Sequence, residues 1–226
     1  MKILALDLAT ENCSVALWRH GELLGREAPA VRGHGGQLLS MVDVLLAEAG
    51  MSLTALDAIA FGRGPGAFTG LRLAASVTQG LAFSTGVPVI PVSDLRALAQ
   101  RAMAAPVAAA RVLVCHDARM GEVYWAGFSN VGGHACADTV EAVARPDNVI
   151  APAQTWLAAA AAAAGVGSGF AVYPALADFS ARLAPVAAEL RPRAQEIAML
   201  AAHDGVAAAV APDWAVPVYL RNDVTS

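Results

Sequence analysis

Apolar residues near the start of the chain fall into short dense runs and then change to helical spacing. Lys2 to Leu8 is one such run, and Cys13 to Trp18 and Glu22 to Ala28 flank the turn signal His20-Gly21. Runs of this length bounded by turn residues predict three consecutive strands, an antiparallel meander. Leu38, Leu39, Val42, Leu45, Leu46 and Ala49 then form a wide stripe at helical spacing, predicting a helix over about 36–49 that Gly50 stops. Asp57 to Gly62 reads as a buried strand, and Leu71, Ala74, Ala75, Thr78, Leu81 and Ala82 mark a helix over 70–84 ended by Gly86. Val87 to Val92 is a strand whose prolines suit its ends or a sheet edge, and Ser93 opens a helix over about 94–104. The order βββαβαβα predicts a mixed sheet with helices on its faces.

Ala104 to Ala110, small residues around Pro106, reads as a junction. A second strand-rich pattern follows at Arg111–His116, Glu122–Ser129 and about 135–140, then helices near 152–164, 175–183 and 192–208. Pro152 suits the first turn of the first of these helices. The second half therefore reads as a shortened copy of the first. Pro217 to Leu220 is a final extended segment, and Arg221 to Ser226 a loose end.

Between the strand at 57–62 and the helix that follows it, Gly62, Gly64, Gly66 and Gly70 fall within eleven residues ending at Arg72. Two readings stay open. Glycines at a helix N-terminus let backbone N–H groups close on an anion, so Gly64, Gly66 and Arg72 are anion candidates. Alternatively, the stretch is a sharp turn that packs the helix onto its sheet. It lacks the Lys-Ser/Thr of a phosphate-binding P-loop, and its glycine spacing is not the dinucleotide fingerprint. Thr69 is the expected N-cap.

Composition narrows the function classes. Hydrophobic residues make up 57% and charged residues 15% of the 226, an apolar balance that points to surface committed to a partner. The net charge is −4 and the one lysine is Lys2, so the chain lacks the basic patch of a protein that grips RNA unaided. Cys13, Cys115 and Cys136 have neither zinc spacing nor an even number, which predicts reduced thiols in the cytoplasm. Asp7 and Glu11 interrupt any signal-peptide core, and no apolar run reaches the ~18–20 residues of a membrane span. Asp117, Arg119 and Glu122 cluster between two predicted strands; Arg119 suits an anion by its fork geometry or pairs locally. The wide stripes on the first two helices leave core packing and a partner interface both open. The candidate interface residues are Leu38, Leu39, Val42, Leu45, Leu46, Leu71, Ala74, Ala75, Thr78 and Leu81.

Four ordered stretches carry a resemblance: DLATENCSVAL from Asp7, GRGPGAFTGLR from Gly62, DARMGEVYW from Asp117 and PVYLRNDV from Pro217. Together they resemble the signatures of the TsaB family, formerly YeaZ, across essentially the whole chain. The resemblance implies an α/β fold of two subdomains of the actin/hexokinase/chaperone-ATPase (ASKHA) type, here 1–105 and a smaller 106–226. In that superfamily the first strand–strand turn contacts nucleotide phosphates through an Asp, a glycine and hydroxyls. Asp7 and Thr10 match in type, but Leu8-Ala9 stands where the glycine belongs. The competing reading is that Asp7 and Thr10 tie the turn down by side-chain-to-backbone bonds.

The catalytic relatives carry two histidines one helical turn apart, whereas His34 is followed four residues later by Leu38. One imidazole makes a poor metal site, so no metal and no cofactor are expected on this chain alone. The resemblance implies a non-catalytic scaffold for tRNA N6-threonylcarbamoyladenosine modification beside the anticodon. It would act with a TsaD-like catalytic homologue and a TsaE-like ATPase, meet tRNA through that complex, and form a homodimer when alone. The rival readings are an active ATP-dependent phosphotransferase or ATPase of the same fold, and a metallopeptidase.

Overall fold

The structure, a computed structural model, describes residues 1–30, 34–104, 109–158 and 162–221, with His34 described in its backbone only. The strands and helices run, in chain order, β1 (Lys2–Asp7), β2 (Asn12–Arg19), β3 (Glu22–Pro29), α1 (His34–Glu48), β4 (Ala58–Gly62), α2 (Phe68–Thr85), β5 (Val89–Val92) and α3 (Asp94–Met103). They continue with β6 (Arg111–Arg119), β7 (Glu122–Val131), β8 (His134–Ala137), β9 (Ala142–Ala144), α4 (Pro146–Leu157), β10 (Ala163–Val166), α5 (Gly169–Val172), α6 (Pro174–Phe179), β11 (Val186–Ala187) and α7 (Ala194–Asp204). Among the described residues no helix is long and apolar enough to cross a membrane.

Two compact units emerge, Met1–Asp94 with Pro192–Val218, and Leu95–Arg191 with Tyr219–Ser226. Both are discontinuous in sequence, where the sequence reading places a single junction at 105/106. The junction's residues 105–108 lie outside the described residues.

In the first unit the sheet order is β3-β2-β1-β4-β5, with β1 antiparallel to β2 and parallel to β4. Consecutive residues of β1 from Ile3 to Asp7 are all buried, which requires a covered sheet on both faces. Leu4 and Leu6 join the core made with Leu38, Val42, Leu45 and Leu46 of α1 and Ala74 and Ala75 of α2. Asp7 lies opposite Ser14 in the ladder, and the Ser14 hydroxyl accepts the N–H of Ala194, the first residue of α7. A helix from the far end of the sequence thus closes the Asp7 side of the sheet.

The second unit repeats the plan: its sheet runs β8-β7-β6-β10-β11, with β6 antiparallel to β7 and parallel to β10, and β9 added to β7. Strand for strand, β6 corresponds to β1, β7 to β2, β8 to β3, β10 to β4 and β11 to β5. This duplicated βββαβα order is the ASKHA architecture.

Three sequence expectations change. The helix expected over 152–164 is α4, which starts at Pro146 and carries Pro152 in its interior. The end of the following alanine run, Ala163 and Ala164, opens β10, with 159–161 outside the described residues. Its small side chains fit a crowded slot: a Cβ added at Gly165 would lie 3.0 Å from Leu183 and 3.1 Å from Phe170. The helix expected over 192–208 is shortened to α7, the rest tightening into a 3-10 turn at Gly205–Ala208.

Candidate functional site

The first unit brings together Asp7, Thr10, Gly64 and Gly66. Asp7 ends β1, and its Oδ1 accepts the Ala9 N–H at 2.8 Å; Thr10 Oγ1 accepts the Asn12 N–H at 3.3 Å. These are the side-chain-to-backbone ties that stiffen a turn. The glycine stretch then packs directly on this turn. The Ala67 N–H donates to Ala9 O at 2.7 Å; a Cβ at Gly66 would lie 2.5 Å from that same oxygen, and one at Gly70 would collide with Leu8 O. Glycine is needed at both places because backbone meets backbone. Gly64 has φ +104, and a Cβ there would lie 2.8 Å from Val218 O. Its N–H donates to Asp94 Oδ2 at 2.5 Å, and the Asp94 N–H returns a bond to Gly64 O at 3.0 Å. The Val218 N–H donates to Arg63 O at 2.7 Å, so the extended tail at 217–218 docks on the glycine turn. The glycine stretch is thus packed against Leu8-Ala9 on one side and Val218 on the other.

Thr69 is not the N-cap. Ala67 holds that position with no side-chain bond, and Thr69 lies exposed in the first turn of α2. Arg72 is exposed, its guanidinium 3.8 Å from the centroid of the Phe68 ring.

Electrostatics single out Asp7. Burial pushes its carboxyl up to about 6; the bonds from Ala9, Asp94 and Leu8 oppose the rise, and the charge of Glu196 adds to it. Glu196 on α7 is buried and held by Arg193, with Nε–Oε2 at 3.1 Å and Nη2–Oε1 at 2.6 Å. Arg193 also reaches Glu27 at 3.8 Å. Burial, and then Asp7, raise the Cys13 thiol to about 11. Sequence reasoning missed Asp94 and Glu196. Asp94 reads as the opening residue of a helix, although a carboxylate directly after a buried strand in so weakly charged a chain is a signal.

The candidate interface residues divide. Leu38, Val42, Leu45, Leu46, Leu71, Ala74, Ala75 and Thr78 are buried in the chain's own core, Leu81 is half-buried, and Leu39 is 42% exposed. The regular spacing identifies the face that meets the sheet, so these positions report the core rather than an outer surface. The outward faces carry Leu39, Val44 and Ala47 on α1, and Phe68, Arg72, Ser76, Gly80 and Phe83 on α2.

The second unit contains the Asp117–Glu122 turn. Arg119 Nη1 lies 3.2 Å from Asp117 Oδ2, the local pairing, with Arg119 itself 87% exposed. Tyr173 donates its hydroxyl to Asp117 Oδ1 at 2.7 Å. Arg221 clamps the turn: Nε and Nη2 reach Glu122 Oε2 at 3.0 and 2.5 Å, and Nη2 reaches Ala118 O and Arg119 O at 3.3 Å. Arg221 is therefore anchored, not loose; 222–226 lie outside the described residues. The Asp117 N–H donates to Ser168 Oγ at 3.1 Å, which stands 3.3 Å from His116 Nδ1. A cavity of about 380 Å³ lies beside the turn, lined by Met120, Arg145, Asp147 and Tyr173 among others. Among the described residues no group of three or more His, Cys, Asp or Glu is placed to hold a metal; the His34 side chain lies outside them.

A family model for TsaD, tRNA N6-adenosine threonylcarbamoyltransferase, matches residues 28–221. The tRNA threonylcarbamoyladenosine biosynthesis protein TsaB of Escherichia coli strain K12 is 39% identical over 232 residues, covering 99% of this chain and 96% of that protein. TsaB of Haemophilus influenzae is 49% identical over 125 residues, 55% of this chain and 52% of that protein. The solved structure of YeaZ from Pseudomonas aeruginosa has a TM-score of 0.84 at 43% identity, covering 97% of this chain and 99% of that one.

Proposed function

Because the chain belongs to the TsaB (YeaZ) family, we propose that it is a non-catalytic scaffold subunit in tRNA N6-threonylcarbamoyladenosine formation. The family places it in tRNA threonylcarbamoyladenosine biosynthesis. In the finer reading it works in the cytoplasm with a TsaD-like catalytic homologue and a TsaE-like ATPase. The modification falls on the adenosine next to the anticodon, and the complex, not this chain, handles ATP and holds the tRNA. The observation that supports the scaffold role is the main-chain packing of Leu8-Ala9 on the glycine turn, at the position where the catalytic superfamily has a phosphate-contacting glycine. The net charge of −4 agrees with tRNA being held by another subunit.

The partner surface in this reading is the outward side of α1 and α2. Leu39, Val44, Phe68 and Phe83 are large apolar groups exposed there, and a helix pair presenting such groups suits packing against equivalent helices, in the catalytic homologue or in a second copy. The test is reconstitution of tRNA modification with and without this chain, with Phe83→Glu and Leu39→Glu as variants. The expected result is loss of modification and of co-purification with the TsaD-like subunit, while the variants melt like the parent. A parallel titration with ATP and magnesium covers the rival. Turnover by the chain alone would overturn the scaffold reading in favour of a phosphotransferase or ATPase.

A further inference from the structure

We propose that Asp7 and Asp94 share a single proton and that this acid–carboxylate pair latches the glycine turn to the end of β1. Four observations of the first unit lead there. Both side chains are buried, Asp7 completely and Asp94 to within 2%. Both aim at one spot: a Cβ built on Gly62 would collide with Asp94 Oδ1 and lie 2.9 Å from Asp7 Oδ1. Asp7 Oδ1 is engaged by the Ala9 N–H, and Asp94 Oδ2 by the Gly64 N–H. Asp7 Oδ2 is buried with no hydrogen-bond donor.

Two ionised carboxylates cannot donate to each other, and two adjacent negative charges without water are strongly unfavourable. A bond between these carboxyls requires one of them to carry a proton, which the orphaned Asp7 Oδ2 is free to bear or to receive. One proton then satisfies the pair, and the remaining charge is spread over oxygens already held by backbone N–H groups. The latch ties three segments: β1 through Asp7, the glycine turn through Gly64, and the start of α3 through Asp94.

Glu196 on α7 adds negative charge, Cys13 on β2 stays a neutral thiol, and Arg193 is bound to Glu196 and Glu27. Burial raises Asp7 from 3.8 in the unfolded chain to about 6 when folded. Folding therefore takes up a proton in that window. The stabilisation carried by Asp7's own proton is complete below about 3.8 and is lost as pH rises through about 6.

The experiment is a carboxyl NMR titration of the protein with 13C-labelled aspartate, joined to melting curves from pH 5 to 8. One aspartate resonance is expected to titrate near pH 6 and to vanish from the spectrum of Asp7→Asn. The melting temperature should fall between pH 5 and 8 in the parent more than in Asp94→Asn, whose amide can donate to Asp7 permanently. If no aspartate titrates above pH 5, or if the purified protein holds a stoichiometric divalent cation at this pair, the inference is overturned. The parent's titration decides the matter even if both variants fail to fold.

Discussion

The β1–β2 and β6–β7 turns occupy the same place in two copies of one strand plan, with an aspartate at the last residue of β1 and two residues before the end of β6. Both aspartates accept the amide two residues on, but what packs around each turn differs. Around Asp7 the chain uses backbone: Ala9 bonds to Ala67, and Gly66 and Gly70 let the two main chains touch. Around Asp117 it uses side chains: Tyr173 and Arg119 take the carboxylate, and Arg221 grips Glu122 and two carbonyls from the tail. Leu8 and Ala9 of the first turn are buried and its aspartate is driven toward the neutral form; the second projects Arg119 and Met120 into solvent on left-handed backbone. The difference teaches that a duplicated turn need not keep one chemistry. Main chain packs directly over one turn. Bracing the other with long side chains leaves its tip available.

The sharpest way to break this comparison is to add one methyl group against the first turn and one within the second. Gly70→Ala drives a Cβ into the Leu8 carbonyl, where backbone faces backbone and cannot step aside. A loss of about 3 kcal/mol or more in urea unfolding is expected, at the upper end of overpacking costs. Gly121→Ala meets open space and only has to adopt φ +78, a cost of about 1 kcal/mol. Equal losses would mean that the two turns are held alike. Next in size is Arg221→Ala, which removes hydrogen bonds to a charged partner from a half-buried site. It should cost about 2 kcal/mol and accelerate amide exchange across 117–122 while leaving 7–12 protected. Smallest is Tyr173→Phe, which deletes the bond to Asp117 Oδ1. A loss near 1 kcal/mol is expected, with exchange rising at the Arg119 amide that Asp117 also holds.

Much of the plan was legible from the chain. The meander, α1, β4, α2 and β5 follow from apolar period and turn residues, and the ten candidate interface positions trace a real helical face. All but the exposed Leu39 and the half-buried Leu81 trace its inward side, because periodicity reports which residues face a sheet and is silent on what covers the opposite side. Leu45 and Ala75, read as a partner surface, are core for that reason. The alanine run after α4 misled for a related reason: alanine favours helix in isolation, but its last two residues, Ala163 and Ala164, pair with β6 in β10.

What the sequence determined by itself was local: strand and helix periods, the glycines that permit close approach, and four ordered motifs that mark the family. What only the tertiary structure decided was which distant segments meet. Asp94 lies eighty-seven positions from Asp7, α7 returns from the second half to close the sheet over Asp7, and Arg221 comes from the tail to clamp a turn in mid-chain. Such pairings carry no signal along the chain, because the free energy that selects them comes from burial and hydrogen bonding between segments that sequence spacing does not relate.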